Sequence, residues 1–87
     1  LSNGYTVELS SGAKRQYSKF KPDLQARLDK ALDKLAANPR PPGTRKLEGQ
    51  DNMWRIRVGD YRIVYSIYEG RLVVLVVAIA HRREVYD

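Results

Sequence analysis

Eighty-seven residues, 43% of them hydrophobic and including six Gly and four Pro, suit one globular domain whose single core buries about 60–65% of the unfolded surface. The net charge of +6 points to an anionic partner such as nucleic acid, while zero Cys and one His exclude disulfides, thiolate chemistry and an ordinary zinc or haem site, so no metal or cofactor is expected. The longest apolar run, Leu72 to Ala80, is far short of the roughly 18–20 residues that cross a bilayer; with no signal-like opening, a cytoplasmic location and no membrane partner are expected.

In chain order, Tyr5 to Leu9 alternates like a short strand, and Ser10 and Ser11 offer N-caps for a first helix running to about Lys19. Pro22 suits a helix start, and Leu24, Leu28, Ala31, Leu32 and Leu35 recur at helical spacing, so a second helix of four turns runs to near Asn38. Its other face carries Asp23, Arg27, Lys30, Asp33 and Lys34, the mixed charge of a solvated surface, with Asp23 and Arg27 spaced to pair. The stretch Asn38-Pro39-Arg40-Pro41-Pro42-Gly43 forbids helix and reads as a rigid extended connection. Thr44 to Leu47, Met53 to Val58, Tyr61 to Tyr68 and Leu72 to Ile79 then read as strands joined by hairpins. The expected class is α+β: an N-terminal strand, a two-helix hairpin, then an antiparallel β-meander with the helices on one face, in a single domain spanning residues 1–87.

The Gly59-Asp60 hairpin fixes a register. If these two residues form the loop, Val58 faces Tyr61, Arg57 faces Arg62, Ile56 faces Ile63, Arg55 faces Val64 and Trp54 faces Tyr65. The apolar and aromatic members then share a core face, and Arg55, Arg57 and Arg62 share the other. Like charges opposed across a ladder destabilise it, so this arrangement suits an anion held between them. The cation type agrees: residues 44–87 hold one Lys, Lys46, against seven Arg, and guanidinium is the group that grips phosphate oxygens in pairs. After the apolar strand come His81, Arg82, Arg83 and Tyr86. His81 is a candidate proton carrier because an imidazole ordinarily titrates near pH 6.5, with a purely structural role at the strand end as the alternative.

The ordered set Lys46-Leu47-Glu48-Gly49, Trp54-Arg55-Ile56-Arg57-Val58, Gly59-Asp60-Tyr61-Arg62-Ile63-Val64-Tyr65 and His81-Arg82-Arg83-Glu84-Val85-Tyr86 resembles the RelE branch of the RelE/ParE toxin superfamily across nearly the whole chain. That resemblance implies a RelE-like microbial RNase fold and the toxin of a type II toxin–antitoxin system, silenced by a cognate antitoxin. It implies a ribosome-dependent, metal-independent endonuclease that cuts mRNA in the A site of the 70S ribosome. The mRNA's own 2′-hydroxyl attacks the adjacent phosphodiester, leaving a 2′,3′-cyclic phosphate and a free 5′-hydroxyl. By the same resemblance the toxin–antitoxin hetero-oligomer is expected to bind operator DNA.

Carried over by motif, Arg55 and Arg57 occupy the positions of two catalytic lysines, Arg62 and Arg82 those of phosphate-clamping arginines, and Tyr86 that of a terminal tyrosine that stacks on a base or takes part in proton transfer. Guanidinium stays protonated, so Arg55 and Arg57 stabilise charge but do not shuttle protons. The glutamate base of the related toxin YoeB has Arg45 at its corresponding position here, with Glu48 nearby. Lys14, Arg15, Lys19, Lys21, Arg27, Lys30 and Lys34 on the helices, with Arg45 and Lys46, are candidates for RNA phosphate contact. The ParE branch, which shares the fold but inhibits DNA gyrase without nuclease activity, is the alternative, and a toxin-fold repressor partner without activity is a third reading.

Overall fold

The computed structural model describes residues 4–81 and residue 83. Its elements are β1 (Thr6–Leu9), α1 (Ser11–Ser18), α2 (Pro22–Ala37), β2 (Arg45–Lys46), β3 (Trp54–Val58), β4 (Tyr61–Tyr68) and β5 (Val73–His81). No helix among the described residues is long and apolar enough to cross a membrane.

Helix α1 starts where Ser10, in extended conformation, accepts the Ala13 N–H on Oγ at 3.1 Å and so satisfies one of the donors that a helix start leaves open. Pro22 opens α2, where its missing N–H costs nothing. Leu28 and Leu35 on that helix are fully buried, each contributing about 1.5–3 kcal/mol of hydrophobic stabilisation, and Leu24, Ala31 and Leu32 pack beside them. The helix ends because Pro39 forces Asn38 into an extended conformation (φ −152°, ψ 107°). Asp23 and Arg27 do not meet as an ion pair. The Arg27 guanidinium instead lies over Gly59, so close that a Cβ on that glycine would collide with it.

The five strands form one sheet in the order β1-β5-β4-β3-β2. Strand β1 runs parallel to β5, pairing Thr6 to Val73 through Leu9 to Val76, and the remaining strands pair antiparallel. The expected β3–β4 register is present in full, from Val58↔Tyr61 to Trp54↔Tyr65. Gly59 supplies the positive φ (+60°) at the first loop position that lets so short a turn match the strand twist. Strand β2 is shorter than the alternation suggested, because Thr44 is held in a turn by its N–H and Oγ1, both donating to Pro41 O at 3.0 and 2.7 Å.

Both helices cover one sheet face. Ala13, Leu28 and Leu35 meet Ile56, Ile63, Tyr65, Ile67, Val74, Val76 and Ile79 there. The opposite face is where Arg45, Arg55, Arg57 and Arg62 gather.

Candidate functional site

Across the face away from the helices run two rows of register partners. One is Arg45, Arg55, Val64 and Ala78; the other is Arg57, Arg62 and Ala80. Arg45, expected among the RNA contacts and at the position of the YoeB glutamate, is the register partner of Arg55. No carboxylate stands in either row. Arg55 is 7% exposed, an unusual burial for a charged side chain, Arg57 is exposed, and the Nε of the half-buried Arg62 is withdrawn from water. Opposed residues of such a ladder have Cβ atoms about 4.5–5.5 Å apart, so the guanidinium groups can converge on one anion and donate to it in pairs.

Why Ala78 and Ala80 form the floor beside these arginines is decided by one extra residue. The pairing of β4 with β5 shifts between Val64 and Tyr65: Tyr65 faces Val76, yet Val64 faces Ala78, so β5 bulges at Val77. A bulge reverses which face the following residues take. Ile79 and His81 therefore turn toward the helices, and Ala78 and Ala80 toward the arginines. The bulge is held by α1 and its cap: Ser10 Oγ donates to Val77 O at 3.2 Å, and Gln16 Oε1 accepts the Ile79 N–H at 2.8 Å.

His81 is thereby separated from the arginines it was expected to join. It pairs with Tyr61, its ring meets the Tyr61 ring edge-on with centroids 5.3 Å apart, and Phe20 meets the same tyrosine at 5.2 Å. Its Nδ1 accepts the Arg83 N–H at 3.3 Å. Arg82 and Tyr86 lie outside the described residues. Lys46 pairs with Trp54 and extends on the helix side, its Nζ 6.0 Å from the indole centroid. Lys14, Arg15 and Lys19 are exposed on or just after α1, and Lys21 is the N-cap of α2, so these four share the helix layer and not the arginine face.

Arg40, which nothing in the sequence singled out, stacks 4.7 Å above Trp54 and pairs with Glu69 at 2.8 Å. The rigidity of the proline-rich connection was the only signal that pointed there. Tyr65, buried beneath it, donates to Pro39 O at 2.7 Å. Burial pushes its phenol above the ordinary value, with the Thr44 hydrogen bond and the Arg40 charge acting in the other direction. Tyr17, at the surface, is raised chiefly by donating its hydroxyl to Asp29 at 2.7 Å. Among the described residues, no three His, Cys, Asp or Glu side chains gather into a group able to hold a metal ion.

Residues 7–86 match the family described as the ParE toxin of the type II toxin–antitoxin system, parDE. An Escherichia coli protein named for its likeness to the RelE toxin is 30% identical over 87 residues, covering 95% of this chain and 90% of its own length. The fold is similar to that of the archaeal RelE–RelB complex from Pyrococcus horikoshii OT3, with a TM-score of 0.81 at 24% identity over 94% of this chain and 99% of that one. It is also similar to the isolated E. coli RelE toxin (TM-score 0.78, 24% identity, 88% and 83% covered). A YoeB/ParE toxin from Agrobacterium tumefaciens superposes with a TM-score of 0.77 at 13% identity, over 87% and 96% of the two chains.

Proposed function

Because the chain belongs to the ParE toxin family of the RelE/ParE superfamily, toxins of type II toxin–antitoxin systems, we propose that it is a ribosome-dependent endonuclease that cleaves mRNA in the A site. The observation that carries this reading is the placing of Arg45, Arg55, Arg57 and Arg62 in two neighbouring register rows of one sheet face, rows that hold no carboxylate among the described residues. A phosphodiester attacked by its neighbouring 2′-hydroxyl gains charge on its non-bridging oxygens as the phosphorane-like transition state forms. Guanidinium groups already fixed around that position stabilise it without reorganising. The small side chains of Ala78 and Ala80 leave room for the sugar-phosphate chain beside Arg62.

The 2′ oxygen must lose a proton and the departing 5′ oxygen must gain one. Arginine does neither. In this reading Tyr86 donates toward the 5′ oxygen, Arg82 adds a further clamp on the phosphate, and the 2′ proton passes to water or to an RNA group of the ribosome. His81, on the helix side, takes no part. The exposed Lys14, Arg15 and Lys19 contact ribosomal RNA phosphates, a contact that weakens as salt rises. The partner is a cognate antitoxin, as the RelE–RelB complexes among the structural neighbours suggest; in this reading the resulting hetero-oligomer binds operator DNA.

A second reading, gyrase inhibition without nuclease activity, draws on two observations. The matched family is that of the ParE toxin, and the arginines of the described face supply charge but no proton carrier. Primer extension on a defined mRNA, with and without programmed 70S ribosomes and beside a gyrase supercoiling assay, separates the two. Cuts confined to the A-site codon and dependent on ribosomes are expected. Intact mRNA with inhibited gyrase would overturn the nuclease reading in favour of the second.

A further inference from the structure

Strand β5 loses its neighbour on one side before it reaches the arginines. Its last pair with β1 is Leu9↔Val76, after which Ser10 gives its N–H to Val76 O at 2.8 Å and the chain turns into α1. From Val77 onward no described strand covers that edge. Across the β3–β4 hairpin Val58 and Tyr61 exchange both main-chain hydrogen bonds, so Arg62 and Val64 turn theirs to β5, where they meet Ala80 and Ala78. Ile79, between those two, therefore turns its N–H to the uncovered edge.

Two side chains stand in for the missing strand. Gln16 Oε1 accepts the Ile79 N–H at 2.8 Å, and Ser10 Oγ donates to Val77 O at 3.2 Å while accepting the Ala13 N–H at 3.1 Å. A backbone N–H can be met only by the oxygen of a side-chain amide, so the half-buried Gln16 amide is held in one orientation. Ser10 also caps α1, and its loss would disturb the helix itself, which makes Gln16 the cleaner of the two to vary.

The bulge they hold gives the arginine face space. Were the Tyr65↔Val76 register continued without it, Val64 would face Val77 and Arg62 would face Ile79, two branched side chains in place of Ala78 and Ala80. Burial of Ile79, 1% exposed on the helix side, favours the bulge too, but hydrophobic burial is non-directional. The hydrogen bond on the Ile79 N–H supplies the direction and fixes where Ala78 and Ala80 sit against Arg62.

We infer that Gln16 is a positioning residue: acting from the helix layer through the Ile79 N–H, it holds Ala78 and Ala80 where they leave a slot for a phosphodiester beside Arg62. The chemistry named here rests on the cleavage reading; the geometry does not. A displacement of about 1 Å at a reacting centre, caused by a change far from it, can slow a reaction by about 10²-fold.

The test compares Gln16→Leu, which removes the acceptor, with Gln16→Glu, whose carboxylate can accept the same N–H, both well below their Tm and with unchanged circular dichroism. Single-turnover cleavage on programmed ribosomes is expected to slow by about tenfold or more in Gln16→Leu, with the half-saturating ribosome concentration unchanged, and to stay within about twofold of wild type in Gln16→Glu. NMR gives a readout free of activity: Ile79 amide exchange, and the Arg62 Nε–H signal during titration with inorganic phosphate. Gln16→Leu is expected to speed the exchange and to need several-fold more phosphate for the same shift, and Gln16→Glu to restore both. A wild-type rate in Gln16→Leu, equal losses in the two variants, or a raised half-saturating concentration at an unchanged rate would overturn the proposal. A phosphate titration that is flat in the wild type or unaltered in Gln16→Leu would overturn it as well. Should the wild type cleave nothing, the cleavage reading fails and the phosphate titration still decides whether Gln16 positions the arginine face. Should Gln16→Leu fail to fold, Gln16→Met takes its place with the same expected outcome.

Discussion

Replacing Tyr65 by Phe removes a single oxygen at the junction of sheet, connection and helix layer. The side chain is fully buried, its hydroxyl donates to Pro39 O at 2.7 Å, and Thr44 Oγ1 lies 3.4 Å away. Pro39 is itself buried, so Tyr65→Phe leaves its carbonyl without that partner, a loss of about 1–3 kcal/mol. At a central value of about 2 kcal/mol, a domain of this size falls in Tm by about 8–16 °C. The pH dependence gives an independent check. Burial holds the Tyr65 pKa above the ordinary phenol value of about 10, so the unfolded chain ionises first as pH rises. The stability due to this group is full below about pH 10 and is lost as pH climbs through the folded-state pKa. The gap between wild type and Tyr65→Phe therefore narrows in that window. Urea titrations at neutral pH and above pH 10 measure both effects. A variant within about 0.3 kcal/mol of wild type at neutral pH, or a gap that widens with alkali, would refute the clasp between Tyr65 and Pro39.

Arg62→Ala should lower single-turnover cleavage on programmed ribosomes by about 10²–10³-fold, equivalent to about 3–4 kcal/mol of transition-state charge stabilisation, while ribosome binding is retained. Asn52→Ala should destabilise by about 2–3 kcal/mol and red-shift Trp54 fluorescence. The Asn52 side chain acts as an extra strand residue, accepting the Ile67 N–H at 3.1 Å, donating to Ile67 O at 2.8 Å and accepting from Trp54 Nε1 at 3.3 Å. Its positive φ (54°) adds strain for alanine, so Asn52→Gly should recover part of the stability but not the fluorescence.

Much of this architecture is local enough to be written in the sequence. A two-residue loop and a period of two leave Arg57 no partner but Arg62, and the leucine spacing in α2 leaves that helix one face to bury. Order, class and the gathering of Arg55, Arg57 and Arg62 follow from such short-range rules. The tertiary structure decided what depends on contacts between distant segments. Strand β1 lies parallel to β5 because its edge is completed by residues 67 positions away, a pairing with no local signature. The face taken by His81 depends on the bulge at Val77, which Ser10 and Gln16 hold from the far end of the chain; one inserted residue turns the histidine from the arginines to the core. Arg27 was spaced to pair with Asp23 and lies instead on Gly59, where the absence of a side chain leaves room for it, because α2 packs across that hairpin. Alternation sets which residues share a face only until the register slips, and where it slips is settled by side chains that meet only once the chain has folded.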